Sequence, residues 1–356
     1  HERQRIGMKV VGVTGSVGKS TTKEMICAVL EKKFRVSKTP ANHNNDIGMP
    51  MAILGMSEDT EVAVLEMGMN HFREIAYLAS IGRPDVAVIT NIGLDHTDLL
   101  GNTLAEIASV KAGIVKEGCR AVFYPGDESV EAVYHTVCAE KNVTYTIADF
   151  SSIQLTHHDL EGQIFDYADH KGIQLPLLGA HQLCNAAVVL ETVECLRERG
   201  WKISDEAVRE GLEHVSWPAR MEVLGKAPLM IVDGGHNPQC TQMLRASFEQ
   251  LLPGRKAVFL AGVLADKDYP QIFELLMPLA QEFVCLTPVN DRALPAGDLA
   301  EYLRSCGAKA IACDTVEEGI LAARKAAGED GIVVAFGSLY LAGVVRKEFF
   351  RMTEQN

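Results

Sequence analysis

The runs that read as strands in this sequence are apolar on both faces, and that property restricts the fold more than any other. "MKVVGVTG" (8–15), "EVAVLEMG" (61–68) and "PDVAVITNIG" (84–93) lack the polar alternation of a strand with one wet face. Such strands must be covered above and below, as in a parallel sheet whose crossovers are helices. Helical patterns fall between them, at "STTKEMICAVLEKKF" (20–34) and "HFREIAYLASIG" (71–82). The pattern changes over about 140–178, where "TIADF", "SIQLTHHD" and "QIFDYAD" predict short polar strands in a small antiparallel flap. "HQLCNAAVVLETVECLRERG" (181–200) is a helix stopped by Gly200. After "WPARMEVLG" the alternation restarts, with strands at "LMIVDGG", "KAVFLAGV", "EFVCLTP", "KAIACD" and "GIVVAFGS". The boundary is expected near Arg220–Lys226, giving domains 1–220 and 221–356.

The first strand runs into "VVGVTGSVGKSTT", which then opens a helix. That context gives a phosphate-loop match its meaning. Gly15 and Gly18 allow backbone N–H groups to approach phosphate oxygens, Lys19 reaches the β and γ phosphates, and Ser20 suits Mg²⁺. Thr14 and Thr21 flank the loop. Val13 stands where the strict GxxxxGK[ST] pattern has its first glycine, so the surviving pattern is TGxxGKS. The fold expected is therefore α/β: a P-loop parallel-sheet ATPase domain with a small antiparallel flap, then a smaller Rossmann-like α/β C-terminal domain.

Composition removes several alternatives. A chain of 356 residues, 47% apolar and 23% charged, is ordinary for a globular protein of two or three domains. A net charge of −13 with no basic run argues against a nucleic-acid partner, although local loops can still hold an anionic substrate. The nine cysteines are scattered with no CxxC pair, which argues against zinc and suits a reducing compartment. No apolar stretch approaches a membrane span and no signal peptide is evident. A cytoplasmic monomer acting on small molecules, with no membrane partner, is expected. The chain opens on His1 rather than Met, which leaves a preceding segment open.

Taken with the later motifs, the loop resembles the Mur ligase superfamily, which includes the muramyl-peptide ligases and folylpolyglutamate synthase. From about residue 94 onward the chain is similar to folylpolyglutamate/dihydrofolate synthase. "GLDHTDLLGNTLAEIASVKAGIV", "LGAHQLCNAA", "WPARMEVL", "VDGGHNP", "GVLADKD", "DRALP" and "FGSLYLAG" occur in the expected order. Before that point, "TGSVGKSTTKEM", "NHNNDIGMP" and "AVLEMGMNHFREIAYLASIGRPDVAVITNIG" resemble the ligase that adds D-Ala-D-Ala to the muramyl tripeptide.

The resemblance implies an ATP-dependent amide ligase working through an acyl phosphate, with ATP and two Mg²⁺ ions. Addition of glutamate to a folate-type carboxylate is its first reading. Addition of D-Ala-D-Ala to a UDP-muramyl tripeptide is the second, and a P-loop NTPase that is not a ligase is a third. It implies that Glu66, at the end of a buried strand, binds Mg²⁺, and that His96 in "LDHT" is a second-metal ligand. Lys111 in "SVKAGI" matches the lysine that family members often carbamylate into an anionic metal ligand. Val110 replaces the usual preceding Glu. Asn185 matches an adenine contact, with His181 and Gln182 shaping that pocket. Arg220 matches an arginine reaching the ATP phosphates, and Asp233 and His236 match residues closing on ribose and γ-phosphate. Asn44 and Asn45 either line the acceptor pocket or serve as loop and cap residues.

Overall fold

The computed structural model describes residues 2–40, 43–69, 71, 73–93 and 102–354. The chain forms two compact units. The first comprises His1–His157, Gln163–Pro176 and His181–Ser216, and the second His158–Gly162, Leu177–Ala180 and Trp217–Asn356.

The first unit is built on six strands: β1 (Lys9–Thr14), β2 (Val36–Lys38), β3 (Val62–Glu66), β4 (Val86–Ile89), β5 (Arg120–Phe123) and β6 (Tyr145–Ile147). Their order is β2-β3-β1-β4-β5-β6 and every pairing is parallel. β3 and β4 are buried along their whole length, and β1 is buried from Val10 on. That explains their unbroken apolar sequence. On one face Leu65, Ile75, Ile107, Phe123 and Tyr134 meet in a single apolar cluster. The Phe123 and Tyr134 rings stack with centroids 4.1 Å apart.

β1 lies between β3 and β4, so the chain leaves it to opposite sides. The crevice at the carboxyl end of β1 is therefore the topological switch point, where open α/β sheets bind ligands. Helix Lys19–Leu30 starts there from Gly18, which holds φ 89° in the left-handed region. Helix Leu104–Lys111 starts from a reciprocal cap between Thr103 and Glu106, and Lys111 is its last residue.

The flap is a three-stranded sheet of β7 (Ile153–His158), β8 (Gln163–Tyr167) and β9 (His170–Leu175). "TIADF" was expected in it, yet Tyr145–Ile147 pairs in parallel with β5 as the edge of the main sheet. An edge strand is half-exposed, so its sequence carries the mixed polarity of a flap strand. β9 went unread for a similar reason, because His170, Lys171 and Gln174 interrupt its apolar positions.

The second unit holds β10 (Glu222–Lys226), β11 (Leu229–Val232), β12 (Ala257–Ala261), β13 (Ala280–Cys285), β14 (Ala310–Ala312) and β15 (Ile332–Phe336). Their order is β10-β11-β15-β12-β13-β14, parallel except for the antiparallel edge hairpin β10–β11. Helices cover both faces, with Phe248, Phe259 and Phe283 in one core and Leu260, Ile320 and Val345 in the other. Among the described residues no helix is long and apolar enough to cross a membrane.

Candidate active site

The loop after β1 is shaped by two glycines. Gly15 has φ 151°, and a Cβ there would fall 1.9 Å from Thr90 Oγ1. At Gly18 a Cβ would fall 2.7 Å from Asn185 Oδ1. Asn185 thus comes to the loop from helix Ala180–Glu198, where it is buried and donates to Gln182 Oε1 at 2.9 Å. The ends of β1 and β4 are tied by Thr90 Oγ1, which donates to the carbonyls of Val17 (2.7 Å) and Thr14 (3.2 Å). Thr14 in turn donates to Met67 O at 2.7 Å, joining β1 to the end of β3. Ser16 N donates to Asn91 O at 2.8 Å and Ser16 Oγ to Gly93 O at 2.9 Å.

Two lysines converge on one carbonyl. Lys19 Nζ donates to Gly15 O at 2.8 Å and to Ser16 O at 3.0 Å. Lys111 Nζ, arriving from the end of its own helix and 4% exposed, donates to the same Gly15 O at 3.0 Å.

Glu66 closes the other side. It ends β3, is 2% exposed, and its Oε1 accepts from Ser20 Oγ at 3.1 Å and from Asn44 Nδ2 at 2.8 Å. Its backbone N–H donates to Thr39 Oγ1 at 2.9 Å. Among the described residues, its second oxygen, Oε2, accepts no hydrogen bond. Lys23 Nζ lies 3.4 Å from that oxygen, within ion-pair range. Thr21 is buried in the same helix.

The sequence expectations therefore meet in part. Thr14, Gly15, Gly18, Lys19, Ser20, Glu66, Lys111 and Asn185 gather at the carboxyl end of β1. His96 lies outside the described residues. Asn44 reaches Glu66, whereas the Oδ1 of Asn45 accepts from Gly48 N at 2.7 Å, just ahead of helix Gly48–Leu54. Lys23 was not singled out, because a lysine inside an amphipathic helix reads as a solvated charge.

Arg220, Asp233 and His236 belong to the second unit. Arg220 sits between Ala219 and Met221, both non-glycine residues in the left-handed region at φ 59° and 48°. Asp233 stabilises that kink: its Oδ2 accepts from Met221 N at 2.9 Å and its Oδ1 from Gly235 N at 2.7 Å. His236 Nδ1 is 3.1 Å from Gly234 O. Asn237 caps the next helix through Cys240 N at 2.8 Å.

Two family models match the chain: the Mur ligase middle domain over residues 13–193, and the Mur ligase, glutamate ligase domain over residues 219–339. Folylpolyglutamate synthase of Lacticaseibacillus casei is 33% identical over 297 residues, 81% of this chain and 66% of that protein. The UDP-N-acetylmuramoyl-tripeptide–D-alanyl-D-alanine ligase of Bacillus subtilis is 35% identical over 285 residues, 76% of this chain and 59% of that protein. The matches thus span 66% or less of these relatives' length. Among solved structures, folylpolyglutamate synthase of Thermotoga maritima shares the fold with a TM-score of 0.81 at 21% identity, covering 98% of this chain and 91% of that one. Folylpolyglutamate synthase of Mycobacterium tuberculosis, complexed with ADP and AMPPCP, gives 0.80 at 24% identity, covering 97% and 92%. With both domain models matched in order across the two units, the chain belongs to the Mur ligase family.

Proposed function

We propose that this chain is an ATP-dependent amide ligase of the folylpolyglutamate synthase type, adding glutamate to a folate-type carboxylate. The observation that carries the reading is the meeting of the phosphate loop with Glu66 at the end of β3, through the 3.1 Å contact from Ser20 Oγ. In the reaction the acceptor carboxylate attacks the γ-phosphorus of ATP and ADP leaves, giving an acyl phosphate. The amine of the incoming amino acid then attacks the acyl carbon, and phosphate leaves as the amide bond forms. Positioning and charge neutralisation supply most of the catalysis in such transfers.

The loop residues have assigned parts. Gly15 and Gly18 allow the phosphates to approach the backbone, and Lys19 turns from the Gly15 carbonyl to the phosphate oxygens. Asn185, beside Gly18, marks the base end of the nucleotide. Arg220, Asp233 and His236 would carry the nucleotide-contacting roles that the family resemblance implies for them.

The donor set also fits Mg²⁺. A hydroxyl and a carboxylate oxygen face each other at Ser20 and Glu66, and hard oxygen donors are what Mg²⁺ takes. Ser20 and Glu66 would hold it, with His96 and Lys111 the further residues of the family pattern. A bound Mg²⁺ neutralises negative charge on the triphosphate. Lys111 as an ammonium suits the Gly15 carbonyl it holds, and its carbamylation would be read by mass spectrometry of the intact protein. The protein would work as a cytoplasmic monomer on small molecules.

Addition of D-Ala-D-Ala to a muramyl tripeptide is the second reading. The 35% identity to the Bacillus subtilis ligase and the contact of Asn44 with Glu66, from the "NHNN" segment, favour it. Phosphate release separates the two. With ATP and Mg²⁺, turnover is measured with dihydropteroate or tetrahydrofolate plus glutamate, then with UDP-muramyl tripeptide plus D-Ala-D-Ala. Turnover with the first pair is expected, turnover confined to the second selects the muramyl reading, and none with either overturns both.

A further inference from the structure

Lys23 has no part in the phosphate loop, yet it is among the most completely buried side chains in the protein, at 0% exposure. Burying an ammonium is costly without a partner, so its surroundings must explain it. It follows Ser20 by three residues on the helix that opens at the loop, and residues at that spacing share a helix face. Its Nζ donates to Thr39 O at 3.0 Å and lies 3.3 Å from Glu24 Oε1 and 3.4 Å from Glu66 Oε2.

These contacts form an alternating chain of charge running inward. Lys38, the most exposed member, pairs with Glu24 Oε2 at 2.5 Å, Glu24 with Lys23, and Lys23 with Glu66. Two cations and two carboxylates balance along it. Thr39 serves it twice, accepting from Lys23 through its carbonyl and from the Glu66 N–H through its hydroxyl.

The two oxygens of Glu66 are thereby distinguished. Among the described residues, Oε1 takes the hydrogen bonds from Ser20 and Asn44, while Oε2 takes none and faces the Lys23 ammonium. A carboxylate rotates freely about its last bond unless something fixes it. With a buried cation behind Oε2, Oε1 stays turned to the loop.

We propose that Lys23 is a positioning residue for the ligase reaction: it locks the Glu66 carboxylate so that Oε1 points at Ser20. The inference rests on the functional reading above, because it gives the Ser20–Glu66 pair its purpose. It predicts that Lys23 controls how much a divalent cation improves nucleotide binding, and leaves alone what nucleotide binds without one.

The test is calorimetric binding of AMPPCP to the full chain in EDTA and in Mg²⁺. Wild type, Lys23→Met, Glu24→Gln, Glu66→Gln and Lys23→Met/Glu66→Gln are compared. For Lys23→Met the EDTA affinity should stay within about twofold, and the gain from Mg²⁺ should fall at least tenfold. Glu24→Gln weakens the same charge chain but leaves Lys23 facing Glu66, so it should keep the Mg²⁺ gain. A folded Lys23→Met protein that keeps its Mg²⁺ gain overturns the proposal. If Lys23→Met fails to fold, the double variant decides, since it leaves no unmatched charge between positions 23 and 66. Its Mg²⁺ response should match that of Glu66→Gln, and a further tenfold loss would mean that Lys23 acts independently of Glu66. A wild-type protein that binds no nucleotide overturns the functional reading and this inference with it, whereas retention of the gain in Lys23→Met overturns this inference alone.

Discussion

Replacing Gly15 with alanine probes the construction of the loop. The new Cβ would fall 1.9 Å from Thr90 Oγ1, closer than any non-bonded pair allows. Thr90 would have to rotate and give up its bonds to the Val17 and Thr14 carbonyls. The hydroxyl shares its one proton between them, so together they contribute about 1 kcal/mol net. The backbone at φ 151° adds about 1–3 kcal/mol of strain for a residue with a Cβ. The first unit should therefore lose about 2–4 kcal/mol. Removing the obstructing oxygen with Thr90→Ala separates the two terms. In that background Gly15→Ala should cost the strain and the tight contacts left at 3.0 Å with the Cβ and 3.1 Å with the carbonyl carbon of residue 90, so the double variant should be less destabilised than the sum of the singles by about 1 kcal/mol, the hydroxyl's bonding already lost. The readout is denaturant unfolding followed by Trp201, buried in the first unit, with Trp217 of the second replaced by Phe. Strict additivity would refute the argument that Thr90 and Gly15 share one space.

Other outcomes follow from the same geometry. Glu66→Gln should lower Mg²⁺-dependent phosphate release at least a hundredfold, about 3 kcal/mol of barrier, and should also lower the melting temperature because buried Lys23 loses a carboxylate partner, measured by turnover and by a thermal scan. Asp233→Ala frees the N–H groups of Met221 and Gly235 and should destabilise the second unit by about 3–6 kcal/mol, read through Trp217 in a Trp201→Phe background. Thiol alkylation depends on the thiolate. Burial pushes Cys27 strongly upward and Cys285 up to about 12, whereas Cys306 is exposed. Alkylation of the native protein near pH 8, mapped by mass spectrometry, should mark Cys306 first and spare Cys27 and Cys285. Because those two pKa values are raised, their protection is lost only as pH climbs far above 8 or as the chain unfolds.

The central strands were readable because burial on both faces left a plain apolar signature, and the loop was readable because it joined such a strand to a helix. Edge strands carried no such mark. β6 is half-exposed and β9 is broken by charged residues, so local pattern placed the first wrongly and missed the second. At the site, Glu66 stood out as a carboxylate at the end of a buried strand. Lys23 did not, because its burial depends on Thr39 and Glu66, which are distant in sequence and assembled by the order of the sheet. Asp233 had the right residue type in the right turn, but sequence could not reveal that both its oxygens hold backbone N–H groups.

The convergence of Lys19 and Lys111 on the Gly15 carbonyl carries one more consequence. Two ammonium groups meet there at the loop that opens helix Lys19–Leu30, whose N-terminus adds its own positive dipole end. The corner is thus built to receive negative charge, and any small oxyanion that binds the folded loop acts as a stabiliser. Sulfate or inorganic phosphate should raise the melting temperature of the first unit more than chloride at equal ionic strength. Buffer composition, and not nucleotide alone, will then set how firmly this corner of the protein is held.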